Sequence, residues 1–84
     1  SAQLDNMAFL QADQRIARIL LSLPPEKDGR GIAVTHEEIG DLAAASRVTV
    51  SRTLGDFARR GWIATQYRRI LILDRDALEG FAYR

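Results

Sequence analysis

The 84-residue chain predicts an α+β fold of about four helices and a small antiparallel β-hairpin, and three features carry the prediction. Thr35 stands three residues ahead of Glu38, the spacing of a capping box, at the head of a short segment with helical apolar spacing. Ser46 is placed to cap a second helix whose apolar face is Val50, Leu54 and Phe57. Beyond it, Trp62-Ile63-Ala64-Thr65 and Ile70-Leu71-Ile72-Leu73 read as two strands around Gln66-Tyr67-Arg68-Arg69. Two capped helices joined by a turn near Ala44-Ala45 and followed by a hairpin make a winged helix-turn-helix.

The elements follow in order. Ile16, Ile19, Leu20 and Leu23 keep helical spacing, and Phe9 and Ala12 extend it backwards to a helix over roughly 7–23. Pro24-Pro25 stops that helix, while Leu4 and Met7 belong to it or to a separate preceding one. Residues 24–31 form a polar loop with two glycines, read as a plain connector, and Ile32-Ala33-Val34 is a short strand leading into the Thr35 cap. Ile39, Leu42 and Ala43 fall on one face of the next helix, with Gly40 allowing the following helix to cross closely. Gly61 is placed to end the helix over 47–59. Trp62 is read as a core residue, and Asp74 as the cap of a last helix over 76–82 that packs Leu78 and Phe81 inward.

Composition limits what such a chain does. A length of 84 residues with 46% apolar content suits one small core, and no apolar run is long enough to span a bilayer. There is no signal peptide, and the Ser1-Ala2 start reads as that of an excised fragment or as a tag scar. The absence of cysteine rules out disulfides and thiol ligands and fits a reducing cytoplasm. Net charge is +1, but it is unevenly spread. Residues 1–46 balance to −3, residues 47–75 to +5 and residues 76–84 to −1. All seven cations of the middle segment are arginine, the side chain suited to bidentate contacts with phosphate and guanine. Arg59 and Arg60 are read as solvated.

On the second helix of the pair, Arg47, Val48, Ser51 and Arg52 project away from the apolar stripe. An arginine in the DNA major groove donates two hydrogen bonds to guanine O6 and N7, and valine methyls pack on the thymine methyl group. Ser46, Thr49 and Ser51 are short hydroxyls near a helix N-terminus, where amides and dipole favour a phosphate oxygen. Arg68, at the hairpin tip, is placed to reach the phosphate backbone beside the groove, with Tyr67 and Arg69 as weaker candidates.

Thr35-His36-Glu37-Glu38-Ile39-Gly40, followed by Ser46-Arg47-Val48-Thr49-Val50-Ser51-Arg52, resembles the helix-turn-helix of the cyclic-AMP receptor protein/Fnr superfamily of bacterial transcription regulators. The resemblance runs from about Ala12 to about Ala82. It implies a DNA-binding regulator domain, residues 9–84, with residues 1–8 as the last turns of a preceding dimerisation or linker helix. By position, Arg47, Val48 and Arg52 resemble the base-reading residues, and Val48 departs from the glutamate of many members. Thr35, Ser46, Thr49 and Ser51 resemble phosphate-contacting positions, and His36 at the helix start is at most another. Ala44 stands where the family often has glycine, and Tyr67 replaces a frequent glycine at the wing tip.

The resemblance further implies double-stranded DNA as partner and a homodimer in the full-length protein. That dimer would bind a pseudo-palindromic operator with half-sites roughly 34–36 Å apart. In related activators the loop corresponding to 24–31 lies where RNA polymerase is touched, so the resemblance also implies that partner, and it implies no membrane. No cofactor is expected in this fragment, because the effector belongs to an absent N-terminal sensor domain.

Two other classes compete. The arginine face of a winged helix suits an acidic protein partner as well, but an aliphatic residue between two arginines at a capped helix end fits base edges better. An enzyme is unsupported: His36 is the single histidine, Glu37 and Glu38 point about 100° apart on a helix, and no phosphate-loop or nucleophile motif occurs.

Overall fold

The computed structural model describes residues 2–29 and 31–84, with side chains from residue 12 onward apart from residue 30. In chain order the elements are α1 (Ala2–Ser22), β1 (Gly31–Ile32), α2 (His36–Ala43), α3 (Arg47–Arg59), β2 (Ile63–Gln66), β3 (Arg69–Ile72) and α4 (Arg75–Ala82). The three strands form one antiparallel sheet in the order β1-β3-β2.

α1 starts earlier than the apolar spacing predicts and stops one residue before Leu23, whose amide still bonds to the Ile19 carbonyl at 3.1 Å. The helix runs unbroken through residues 8 and 9, so the expected domain boundary falls inside it. The expected roles of Leu4, Met7 and Phe9 lie outside the described side chains. Ile16, Ala17 and Leu20 of α1 are fully buried against Ile39, Val50, Leu54, Phe57, Ile63, Ile70 and Leu78. Burying each large aliphatic or aromatic side chain contributes about 1.5–3 kcal/mol.

The polar side of α1 ties the other helices together. Arg15 Nε donates to the Ala43 carbonyl at 2.9 Å, and Arg18 Nε donates to the Ala82 carbonyl at 2.7 Å. Each guanidinium thus satisfies a carbonyl at a helix C-terminus, the negative end of the dipole. Gln14 Nε2 donates to the Phe81 carbonyl at 3.4 Å, and buried Thr53 on α3 donates its hydroxyl to Asp13 at 2.9 Å. From one helix, then, side chains reach α2, α3 and α4.

α3 ends in a two-bond left-handed stop. The Trp62 amide donates to the Phe57 carbonyl and the Gly61 amide to the Ala58 carbonyl, both at 3.0 Å. Gly61 sits at φ +79°, a conformation that glycine adopts without a Cβ penalty. The stop brings Trp62 onto Phe57, and Phe81 of α4 completes a three-ring cluster with centroids 5.5 Å apart. Trp62 is therefore a packing residue, as expected. Its carbonyl also accepts from Leu73 at 2.8 Å and Asp74 at 3.1 Å, fixing where β3 passes into α4.

Three expectations need correction. β1 is Gly31–Ile32, facing Leu71 and Ile70, not 32–34; the chain leaves the sheet at Ala33 to enter the extended Thr35 cap. Leu42 is 60% exposed, because the buried face of α2 is Ile39, Gly40 and Ala43. Gly40 draws the backbone of α2 against the turn, which rotates Leu42 outward. The hairpin strands begin one residue later and earlier than expected, at Ile63 and Arg69, with Gln66 opposite Arg69. That leaves a tip of two residues, Tyr67 and Arg68.

Candidate nucleic-acid interface

Local capping builds the site. Thr35 Oγ1 accepts from the Glu38 amide at 3.1 Å, and Glu38 Oε1 accepts from the Thr35 amide at 3.0 Å, closing the predicted box. α2 ends at Ala44, which adopts φ 53°, ψ 47°. The turn then doubles back so tightly that a Cβ on Gly40 would stand 2.9 Å from the Ala45 carbonyl oxygen and 3.7 Å from Val50 Cγ2. Ser46 Oγ accepts from the Thr49 amide at 3.1 Å and donates to Thr49 Oγ1 at 3.0 Å. The Ser46 hydroxyl is therefore committed to the cap, and Thr49 keeps the hydroxyl proton that can point outward.

These caps fix the rotation of α3. Val50, Thr53, Leu54 and Phe57 turn inward, while Arg47, Ser51 and Arg52 are exposed and Val48 is 74% exposed. His36, at the start of α2, lies with Nδ1 3.3 Å from Ser51 Oγ, linking the two helices on their outer side.

The wing meets this surface from the other side. Thr35, His36, Arg47, Tyr67 and Arg68 line one shallow depression of about 400 Å³. The structure thus brings the start of α2, the start of α3 and the hairpin tip together. Val48, Ser51 and Arg52 continue along α3 outside that depression. Tyr67 is 88% exposed, and the Arg68 guanidinium lies 5.5 Å from its ring centroid. Arg68 takes φ 54°. The left-handed residue of the tip is the second one, so Tyr67 needs no glycine-like backbone.

The arginines divide by partner. Arg59 and Arg60 pair with Asp56 at 3.8 and 3.1 Å, and Arg75 pairs with Glu79 at 3.7 Å. Arg60 also lies 5.1 Å over the Trp62 ring. Arg69 donates Nε to Glu26 at 2.7 Å and Nη2 to Asp28. Among the described residues no ion pair involves Arg47, Arg52 or Arg68. Arg15 and Arg18 likewise make no ion pair among the described residues but are spent on helix C-terminal carbonyls, whereas Arg47, Arg52 and Arg68 are exposed on the face predicted from the sequence.

Arg69 needs a correction. The chain pattern made it a weaker phosphate candidate beside Arg68, but its guanidinium turns back to the loop after α1. The hydrogen bond to Glu26 foremost, and the charge of Asp28, hold its pKa above the ordinary arginine value, with burial opposing. The same contacts show that this loop is more than a plain connector. Glu26 and Asp28 were legible as acids, but their partner lies more than forty residues away, beyond the reach of local pattern.

Among the described residues no helix is long and apolar enough to cross a membrane.

Comparison with known proteins agrees with this geometry. Residues 14–81 match the Crp-like helix-turn-helix domain family. The chain is 51% identical over 71 residues to the transcriptional regulator LdrP of Thermus thermophilus, an alignment covering 77% of the chain and 36% of that regulator. It is 39% identical over 82 residues to a CRP-like cAMP-activated global transcriptional regulator of Mycobacterium tuberculosis, covering 89% of the chain and 37% of the relative. A crystal structure of a CRP-family transcriptional regulator from Thermus thermophilus superposes with a TM-score of 0.77 at 44% identity, covering 89% of the chain and 43% of that structure. The chain thus spans little more than a third of the curated relatives it matches. With caps, turn, exposed α3 face and wing all in place, the chain belongs to the Crp-like helix-turn-helix domain family, and the relatives it matches are transcriptional regulators.

Proposed function

We propose that α3 lies in the major groove and that Arg47, Val48 and Arg52 read base edges. In this reading the two arginines each take a guanine, and Val48 packs on a thymine methyl. Thr35, His36, Thr49, Ser51 and Arg68 hold phosphates, with Ser46 serving mainly through the amides its cap orients. The observation carrying the proposal is that Arg47 and Arg52, exposed and without an ion pair among the described residues, flank the exposed valine of α3, with Arg68 of the wing tip sharing a depression with Arg47.

The short coverage of its relatives supports a longer protein. There, an N-terminal portion senses an effector and pairs two copies, so that a pseudo-palindromic operator is bound by two α3 helices about 34–36 Å apart. RNA polymerase is the further partner proposed for the regulator, the compartment is the cytoplasm, and the domain acts by binding without catalysis.

Selection of bound duplexes from a random DNA pool tests the reading. The chain should enrich a half-site with guanines flanking a thymine step. Recovery of duplexes with no sequence preference at physiological salt, where non-specific phosphate binding is weak, would overturn the base-reading assignment.

A further inference from the structure

We propose that Arg69, held by Glu26 and Asp28, is a positioning residue that fixes the wing so that Arg68 meets the DNA backbone. The inference rests on the DNA-binding reading of the same face and adds a part to it.

The geometry is specific. β3 is the central strand of the sheet, and Arg69 is its first residue, directly after the tip. Its guanidinium makes hydrogen bonds in three directions: Nε to Glu26, Nη2 to Asp28, and Nη1 to Gln66 Oε1 at 3.4 Å. Gln66 faces Arg69 across the base of the tip. One side chain therefore joins both flanks of the tip to the loop that follows α1. The loop is itself braced, with the Glu26 amide donating to the Gly31 carbonyl at 2.6 Å and the Gly29 amide to the Glu26 carbonyl at 2.8 Å. Gly31, in the strand beside β3, leaves the space through which the guanidinium passes.

Stability does not account for this arrangement. The Arg69 side chain is 29% exposed and its two acids 41% and 50%, and ion pairs so open to water contribute little to folding. Charge alone argues the other way: two carboxylates beside a DNA-facing hairpin repel phosphate. What the pairs supply is placement. The guanidinium ties both flanks of the two-residue tip to the loop after α1 and so sets the position of the tip before DNA arrives.

The sign of one variant separates placement from charge. Glu26→Gln with Asp28→Asn removes two negative charges, so an electrostatic role predicts tighter binding to the selected half-site duplex. The clamp predicts weaker binding by several-fold, with base preference retained. The salt dependence of binding should also become shallower by about 0.9 in log–log slope, the share of one phosphate contact. In that background Arg68→Ala should cost much less than in the wild-type chain, because the unheld wing no longer delivers Arg68. Arg69→Lys, which keeps the charge, should fall between the wild type and Arg69→Gln.

A measurement without DNA accompanies these. Amide exchange at residues 66–69 should quicken in the double variant while the α1 and α3 amides keep their protection. Unchanged exchange at the tip, tighter binding by the double variant, or an undiminished cost of Arg68→Ala would each overturn the clamp. If the wild-type chain bound no duplex at all, the DNA-binding reading would fail, and tip exchange would still decide whether Glu26 and Asp28 hold the wing.

Discussion

Gly31 lies so close beneath the guanidinium of Arg69 that a Cβ built on it would stand 2.7 Å from Arg69 Cζ. The obstructing atoms belong to the end of a flexible side chain, so Gly31→Ala displaces the guanidinium and leaves the backbone in place. We expect at most about 1 kcal/mol of lost stability, the scale of exposed ion pairs, together with the weakened DNA binding of the Glu26→Gln/Asp28→Asn variant. Thermal unfolding and duplex titration on the same sample check both halves. Large unfolding losses would show that Gly31 matters for the sheet instead.

The raised pKa of Arg69 sets the pH behaviour of this contact. A cation whose folded pKa is raised contributes stability that is complete below its ordinary value and is lost only as pH rises through the raised one. For arginine that window lies at strongly alkaline pH. Deprotonation of Arg69 should therefore add no slope to unfolding free energy between neutral and mildly alkaline pH. A difference in that slope between the wild-type chain and Arg69→Gln would contradict this.

Ala44 holds the turn between α2 and α3 at φ 53°, where an L-residue with a Cβ is strained by roughly 1–2 kcal/mol. Ala44→Gly relieves that strain and loses part of the gain to greater freedom of the unfolded chain. A net stabilisation of about 1 kcal/mol is expected, which for a domain of this size raises Tm by roughly 4–8 °C. Calorimetry checks it, and a lower Tm would mean that the turn tolerates alanine without strain.

What the sequence disclosed and what it hid divide along contact range. Thr35, Glu38, Ser46, Gly61 and Asp74 act within three or four residues of themselves, and each cap or stop was readable from spacing. The exposure of Arg47, Val48 and Arg52 followed equally from the helical period once the Val50-Leu54-Phe57 stripe was known. The features that escaped are non-local. Arg15 and Arg18 entered the sequence reading only as part of the charge balance of residues 1–46, yet they close the C-termini of α2 and α4, 28 and 64 residues away. Arg69 read as a weaker phosphate candidate beside Arg68, and only the folded chain brings Glu26 and Asp28 to its guanidinium. Leu42 was misplaced because the close approach at Gly40, itself anticipated, decides which side of α2 faces inward.

Specificity should respond to single side chains on α3. Arg52→Ala is expected to cost about 1–3 kcal/mol on the preferred duplex and to relax selection at one base pair. Val48→Glu replaces two methyls by an acceptor, so preference at its step should move from thymine toward a cytosine, whose N4 amino group can donate. Selection from random DNA, repeated on both variants, reads the outcome position by position. A uniform weakening across all sequences for Arg52→Ala would make it a phosphate contact.

Arg68→Ala is expected to do the opposite of Arg52→Ala. Arg68 stands at a wing tip, beside an exposed tyrosine and without a carboxylate partner among the described residues. Its charge is therefore available to a phosphate, and phosphates carry no base identity. Removing it should leave the selected half-site unchanged while the slope of log affinity against log salt becomes shallower by about 0.9. The φ of 54° at this position means that alanine keeps the strain and loses the charge, whereas Arg68→Gly loses both. If the wing acts through charge, the two variants should bind alike. Tighter binding by Arg68→Gly would instead show that wild-type binding is held back by backbone strain at the tip. Anisotropy titrations at several salt concentrations, run on both variants with one duplex, distinguish these outcomes.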